Sequence, residues 1–127
     1  MEIRTLTVGL LGTQCYLLWM ENETACVVID PGAEPERILK ATGGRRIEAI
    51  LLTHGHFDHI GGARRLMEAY PDAQLLIHAL DAPMLGDSVR NAGRGLLGMN
   101  ITAPTATGTF REGDRLRLAG VELTVLH

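Results

Sequence analysis

Short apolar stretches separated by polar or glycine-containing turns predict a series of strands in the first part of the chain. These stretches are Ile3–Leu10, Gln14–Met20 and Ala25–Asp30. The third is rich in β-branched residues, which is typical of a buried strand, and Pro31 ends it. A short polar turn joins the second stretch to the third, so these two strands are predicted to form a hairpin.

Helical and strand-like patterns alternate after this hairpin. The chain predicts a helix from Pro35 to Ala41, a buried strand over Ile47–Thr53, a helix over about Ile60–Tyr70, a strand over Gln74–His78 and a short helix through Leu85 with Asp81 as its N-cap. An initial hairpin followed by alternating strands and helices indicates an α/β layered fold.

The last third of the chain is less regular. Positions 86–109 contain five glycines, which indicates either a long functional loop with a helical turn or a partly mobile segment. After it, Arg115–Leu118 and Val121–Leu126 flank Ala119-Gly120 and predict a second hairpin.

Composition narrows the classes of partner. The chain has 127 residues, 46% hydrophobic and 21% charged, with a formal net charge of -3. These values indicate a single globular domain over 1–127 and argue against a nucleic acid or an anionic membrane as partner. A small-molecule substrate is the expected partner.

Compartment is predicted from three further features. No apolar run approaches the ~20 residues needed to span a membrane, and the first residues lack the order of a signal peptide. Cys15 and Cys26 lie in apolar strands, which favours free buried thiols over a disulfide. The cytoplasm is therefore the predicted location.

A cluster of histidines follows the buried strand that ends at Thr53. His54 and His56 are two positions apart, so an extended backbone turns both rings to one side. Asp58 and His59 come after the chain bends and can serve an adjacent position. Imidazole and carboxylate are zinc ligands, and two metals ~3.5–4 Å apart are a known hydrolytic arrangement. The alternative is a polar loop that is merely rich in histidine.

Several segments resemble one family. Thr-His-Gly-His-Phe-Asp-His-Ile-Gly-Gly at 53–62 resembles the T-H-x-H-x-D-H-x-G-G signature of the metallo-β-lactamase superfamily. The segment 11–18 resembles the second strand of its glyoxalase II-like branch, and 27–32, 75–85 and 121–127 resemble later elements. The resemblance implies the N-terminal half of an αβ/βα four-layer sandwich, with a mixed β-sheet and helices on one face.

The resemblance also implies roles for individual residues. The implied metal ligands are His54, His56 and His127 for a first ion, and Asp58 and His59 for a second. Asp58 would also orient the attacking water. Asp30 would orient a ligand or the motif loop, although a simple turn residue before Pro31 is an equal reading. His78 matches no ligand position and is expected at the surface or at a strand end.

The family fold has two halves, and this sequence ends at the residue expected to join them. The bridging aspartate, the last histidine of the second site and the C-terminal elements do not occur in it. The expectation is therefore a domain that is incomplete at its C-terminus, with weak metal binding at the second site. A half-domain is also expected to expose an apolar sheet face and to associate as a homodimer.

By resemblance, the parent protein is a hydrolase that uses metal-activated water on a thioester of the hydroxyacyl-glutathione type or on a related acyl bond. Zinc is the expected metal, as two ions in the intact protein, with iron or manganese as alternatives. The alternative functions are an iron-dependent sulfur dioxygenase, a nuclease and a non-enzymatic metal-binding fragment. The scarcity of basic clusters argues against the nuclease.

Overall fold

The core of the fold is a mixed β-sheet, seen in a computed structural model that describes residues 1–126. Its strands are β1 (Glu2–Val8), β2 (Thr13–Trp19), β3 (Ala25–Ile29), β4 (Arg46–Leu52), β5 (Gln74–His78) and β6 (Gly108–Phe110). The sheet order follows the chain. β1, β2 and β3 pair antiparallel, whereas β3 to β6 run parallel. The predicted β2–β3 hairpin and the mixed sheet are confirmed.

Three α-helices and a 3₁₀ helix pack on one face of this sheet, as predicted. They are α1 (Pro35–Ala41), α2 (Phe57–Ile60), α3 (Ala63–Ala69) and the 3₁₀ helix at Ala82–Gly86, whereas α4 (Gly93–Leu97) contributes no residue to this core. Ile38 of α1 and Leu66 of α3 are fully buried against Val28, Ile50 and Leu75 of the central strands. Each such side chain stabilises the fold by roughly 1.5–3 kcal/mol through burial.

The opposite face is covered in part by a second hairpin of the same chain, β7 (Arg115–Leu118) and β8 (Val121–Thr124). Leu118 and Val121 pack on Val27, Ala49 and Leu51 of the sheet. The Ala119 amide also donates a hydrogen bond to Glu48 of β4.

The expectation that this apolar face is exposed to solvent is therefore wrong for the centre of the sheet. On that face Ile3 of the edge strand β1 (57% exposed) and Tyr16 of its neighbour β2 (37% exposed) remain accessible. The homodimer stays a prediction.

The predicted helix over Ile60–Tyr70 is wrong as a single element, because it is divided into α2 and α3 at Gly61-Gly62. The Gly62 amide donates to the Pro31 carbonyl oxygen at 2.7 Å. That bond ties the break to the turn after β3.

The predicted helix after Asp81 is a 3₁₀ helix, and the Asp81 side chain does not cap it. Within 86–109 the structure forms α4 and β6. β6 has only three residues, too few to give a strand pattern in the sequence.

Both cysteines are free and buried, as predicted. Burial raises the pKa of the Cys15 thiol to about 12 and that of Cys26 to about 11. Since the thiolate is the reactive form, we expect no modification by a thiol reagent until the protein unfolds. Mass spectrometry after alkylation, with and without denaturant, measures this, and rapid labelling of native protein would contradict it. Among residues 1–126, no helix is long and apolar enough to cross a membrane.

Candidate metal centre

The carboxyl ends of three parallel strands meet at one edge of the sheet, where ligand sites form in open α/β folds. Asp30 follows β3, the histidine motif follows β4, and Asp81 lies three residues after β5. Thr13 begins β2, which runs antiparallel to β3, and so lies at the same edge. Topology thus gathers residues that are distant in sequence.

The motif histidines lie together at this edge. The ring centroid of His54 is 6.2 Å from that of His56 and 4.9 Å from that of His59. Hence the histidines of both implied metal positions lie within one small region.

The spacing of Asp58 and His59 fits the coordination of one ion. Asp58 Oδ2 and His59 Nε2 are 3.3 Å apart. Two donors on a tetrahedral zinc, each at about 2.0–2.1 Å, are separated by about 3.3 Å. Thr13 Oγ1 donates a hydrogen bond to the same Asp58 oxygen at 3.2 Å, which orients the carboxylate.

Asp30 is a buried carboxylate behind the motif. It accepts hydrogen bonds from the Thr53 amide at 2.7 Å and from Thr53 Oγ1 at 2.5 Å. Its φ of +55° is unusual for a residue other than glycine, although aspartate tolerates it better than most. Such strain persists where surrounding contacts enforce it. Asp30 is therefore a turn residue that also holds the motif strand.

Asp30 also faces His59. His59 Nδ1 is 3.0 Å from Asp30 Oδ2, a hydrogen-bond distance, and a small rotation of the ring aligns its N–H with that oxygen. The Asp30 hydrogen bond is the main cause of the raised pKa of His59; burial opposes it, and the charges of Asp30 and Asp58 add to it. This arrangement directs Nε2 away from Asp30 and increases its basicity as a ligand.

Thr53 sets the tautomer of His54. Its hydroxyl hydrogen goes to Asp30, and His54 Nδ1 lies 3.0 Å from the same hydroxyl oxygen. His54 Nδ1 is therefore the donor in that contact, which leaves the Nε2 lone pair free for a metal.

The donor types and the Asp58–His59 spacing fit a zinc-type metal. Among residues 1–126, however, no group of three or more His, Cys, Asp or Glu side chains converges closely enough to enclose an ion. The described residues thus provide ligand pairs. The predicted ligand His127 lies outside the described residues.

Close backbone packing holds the motif loop on the Asp30-Pro31-Gly32 turn. A Cβ at Gly32 would overlap the Asp58 carbonyl oxygen, and one at Gly61 would overlap the Gly32 carbonyl oxygen. Only glycine permits this approach.

Three contributors to the site were missed in the sequence. Thr13 and Thr53 make the contacts described above, and Asp81 Oδ2 accepts a hydrogen bond from the Gly55 amide at 3.3 Å. The convergence of parallel strand ends was the available signal for Asp81. The strand-end expectation for His78 is confirmed, but the surface expectation is wrong: His78 is 5% exposed, and its Nδ1 accepts from the Leu80 amide.

Replacement of Thr13 by valine is expected to weaken metal binding about tenfold, the lower end of the effect of losing an outer hydrogen bond to a ligand. Valine keeps the shape but leaves Asp58 Oδ2 without its donor. Thr13→Ser keeps the hydroxyl and is the matched control. Competitive titration with a chelating dye measures the affinity, and equal affinities for the valine and serine variants would refute the role of Thr13.

Residues 8–127 match the family model described as the metallo-beta-lactamase superfamily. The chain belongs to this superfamily. The chain is similar to a probable metallo-hydrolase of Bacillus subtilis (strain 168), with 31% identity over 99% of this chain and 59% of the relative. The chain is also 33% identical to a hydroxyacylglutathione hydrolase of Aeromonas hydrophila, over 88% of this chain and 37% of that protein.

Solved structures of the superfamily share the fold. The BLEG-1 B3 metallo-beta-lactamase superposes with a TM-score of 0.92 at 26% identity, covering 99% of this chain and 61% of that protein. TTHA1623 in a di-iron-bound form gives a TM-score of 0.74 at 36% identity, covering 89% of this chain and 56% of that protein. The chain thus spans about three fifths of the length of these structures. The predicted N-terminal half of the metallo-β-lactamase fold is confirmed.

Proposed function

We propose that the chain carries the metal site of a hydrolase that cleaves a thioester or a related acyl bond. The observation that carries this proposal is the Asp58–His59 pair, spaced at 3.3 Å and backed by Asp30, beside His54. Similarity to a hydroxyacylglutathione hydrolase supports the thioester over other acyl substrates.

The chemistry that a bound zinc supplies is activation of water near neutral pH and polarisation of a carbonyl group. His54, His56 and His127 would hold one ion, and Asp58 and His59 a second. Asp58 would orient the attacking water through its carboxylate, which Thr13 holds by a hydrogen bond to Oδ2. Asp30 and Thr53 keep the ring nitrogens of His59 and His54 aimed for coordination.

Thiol release from a hydroxyacyl-glutathione thioester by the zinc-loaded chain tests the proposal. We expect turnover that requires metal and that Asp58→Asn lowers at least about a hundredfold, because the variant loses both a ligand and the water-orienting carboxylate. Asp72→Asn, at an exposed turn, is the control. Turnover that survives in Asp58→Asn would overturn the proposal.

Zinc is our proposed metal, and the di-iron form of TTHA1623 makes iron the competitor to test. Elemental analysis of protein purified without added metal distinguishes them. Oxygen consumption with a persulfide substrate would instead favour the sulfur dioxygenase. The free buried thiols support a reducing compartment, and the cytoplasm is the location we propose.

A further inference from the structure

An apolar pocket of about 230 Å³ opens beside Asp58. On one side it is lined by Leu10 and Leu11 of the β1–β2 loop. On the other side it is lined by Leu97 at the end of α4 and by Met99. Asp58 therefore belongs both to the candidate metal centre and to this pocket.

Buried polar side chains hold the α4 side of the pocket in place. Asn91 is fully buried, and its Nδ2 donates to the Ile101 carbonyl oxygen at 2.8 Å. Ser88 Oγ donates to the Met99 carbonyl oxygen at 3.0 Å. The Phe57 amide of the motif donates to the Asn91 carbonyl oxygen at 2.9 Å, which joins this segment to the metal centre.

The β1–β2 loop is fixed at its base but exposes its apolar tip. The Gly9 amide donates to Glu34 Oε2 at 3.0 Å, whereas Leu10 is 91% exposed and Leu11 60% exposed. Across the pocket Met99 is 59% exposed. Covering the apolar side chains on both sides of one opening with a ligand lowers the free energy of the system.

The lining disfavours an anionic group in the interior of the pocket, which is mostly apolar. Among the residues that line it, Asp58 is the one charged group, and no cationic side chain lines it. A carboxylate or phosphate there would lack a partner and would be repelled by Asp58. The part of a ligand that fits is neutral and apolar.

We propose that this pocket binds the aliphatic acyl chain of the substrate and so selects thioesters of medium-chain acids over short hydroxyacyl thioesters. This specificity rests on the proposed function. An apolar cavity of about 150 Å³ holds a benzene ring, so this pocket has room for about eight carbon atoms. The position beside Asp58 places the carbonyl end of the chain at the metal centre.

Binding of product carboxylates tests the pocket without requiring turnover. Calorimetry with butanoate, hexanoate, octanoate and lactate, with and without zinc, is expected to show affinity rising up to about fourfold for each added methylene. Lactate should bind no more tightly than butanoate. Affinity that is independent of chain length would overturn the proposal.

Two leucines of α4 provide a matched pair of variants. Leu97 lines the pocket, whereas its neighbour Leu96 is 69% exposed and does not line it. Leu97→Gln is expected to lower octanoate affinity about tenfold and to leave butanoate unchanged, while Leu96→Gln changes neither. Leu11→Gln repeats the test from the other side, and thermal unfolding checks that each variant folds. Equal effects at Leu96 and Leu97 would contradict the assignment.

The outcomes also separate this inference from the proposed function. If octanoate binds as expected but no thioester is cleaved, the pocket stands and the hydrolase proposal fails. If thioesters are cleaved without preference for chain length, the hydrolase stands and the acyl pocket fails. A dimer in light scattering that Leu97→Gln dissociates, with no octanoate binding, would show that a second copy covers the pocket and would overturn the proposal.

Discussion

Replacement of Gly32 by alanine is expected to disrupt the motif loop and to abolish metal binding. The added methyl group would overlap the Asp58 carbonyl oxygen, a backbone atom that cannot move without displacing the ligand itself. The cost is expected to reach about 3 kcal/mol in free energy of unfolding, at the upper end of overpacking substitutions, because no flexible side chain can yield. Urea denaturation and a metal titration measure the two effects.

Gly95→Ala is the matched control for this substitution. Gly95 lies in α4, and a Cβ there has open space around it. Because alanine favours helix over glycine, this variant should be stabilised by about 0.5–1 kcal/mol. A Gly32→Ala protein that unfolds and binds metal like the wild type would show that the turn after β3 does not support the site.

Replacement of Asp30 by asparagine is expected to lower metal affinity by about 10–100-fold, the effect typical of outer partners of metal ligands. One carboxylate contacts both Thr53 and His59. The amide oxygen of the variant can still accept the hydrogen bond from the Thr53 backbone amide. Its amide nitrogen, however, takes the place of the oxygen that faces two donors, the Thr53 hydroxyl and His59 Nδ1. The free energy of unfolding is expected to fall by about 2 kcal/mol as well, since a charged buried acceptor is lost.

A metal titration of Asp30→Asn against Asp72→Asn separates this effect from a general loss of charge. Asp72 lies in an exposed turn after α3, so its variant should bind metal as the wild type does. Unchanged affinity in Asp30→Asn would reduce Asp30 to a turn residue, the alternative that the sequence left open.

The sequence predicted the strands well because their apolar character is local. Ala25–Ile29 and Arg46–Leu52 are buried over most of their length, and their composition alone marks them as central strands. The histidine motif was equally visible, since its four residues fall within the six positions 54–59. Parallel pairing of these two strands then brings Asp30 to the motif, which residue spacing alone does not reveal.

Long-range contacts account for what the sequence did not predict. The contact of Thr13 with Asp58 spans 45 positions, and that of Asp81 with Gly55 spans 26. The division of the predicted helix at Gly61-Gly62 depends on the carbonyl oxygen of Pro31, which belongs to another turn. Covering of the sheet centre by the β7–β8 hairpin is likewise a tertiary effect.

Anomalous scattering at the zinc edge, from crystals of the zinc-loaded chain, tests the candidate metal centre most directly. We expect a peak about 2.0–2.2 Å from both Asp58 Oδ2 and His59 Nε2, and a second peak close to the His54 and His56 rings. Zinc bound elsewhere on the chain, with no peak within coordination distance of any of these four residues, would contradict the assignment of this sheet edge as a metal centre.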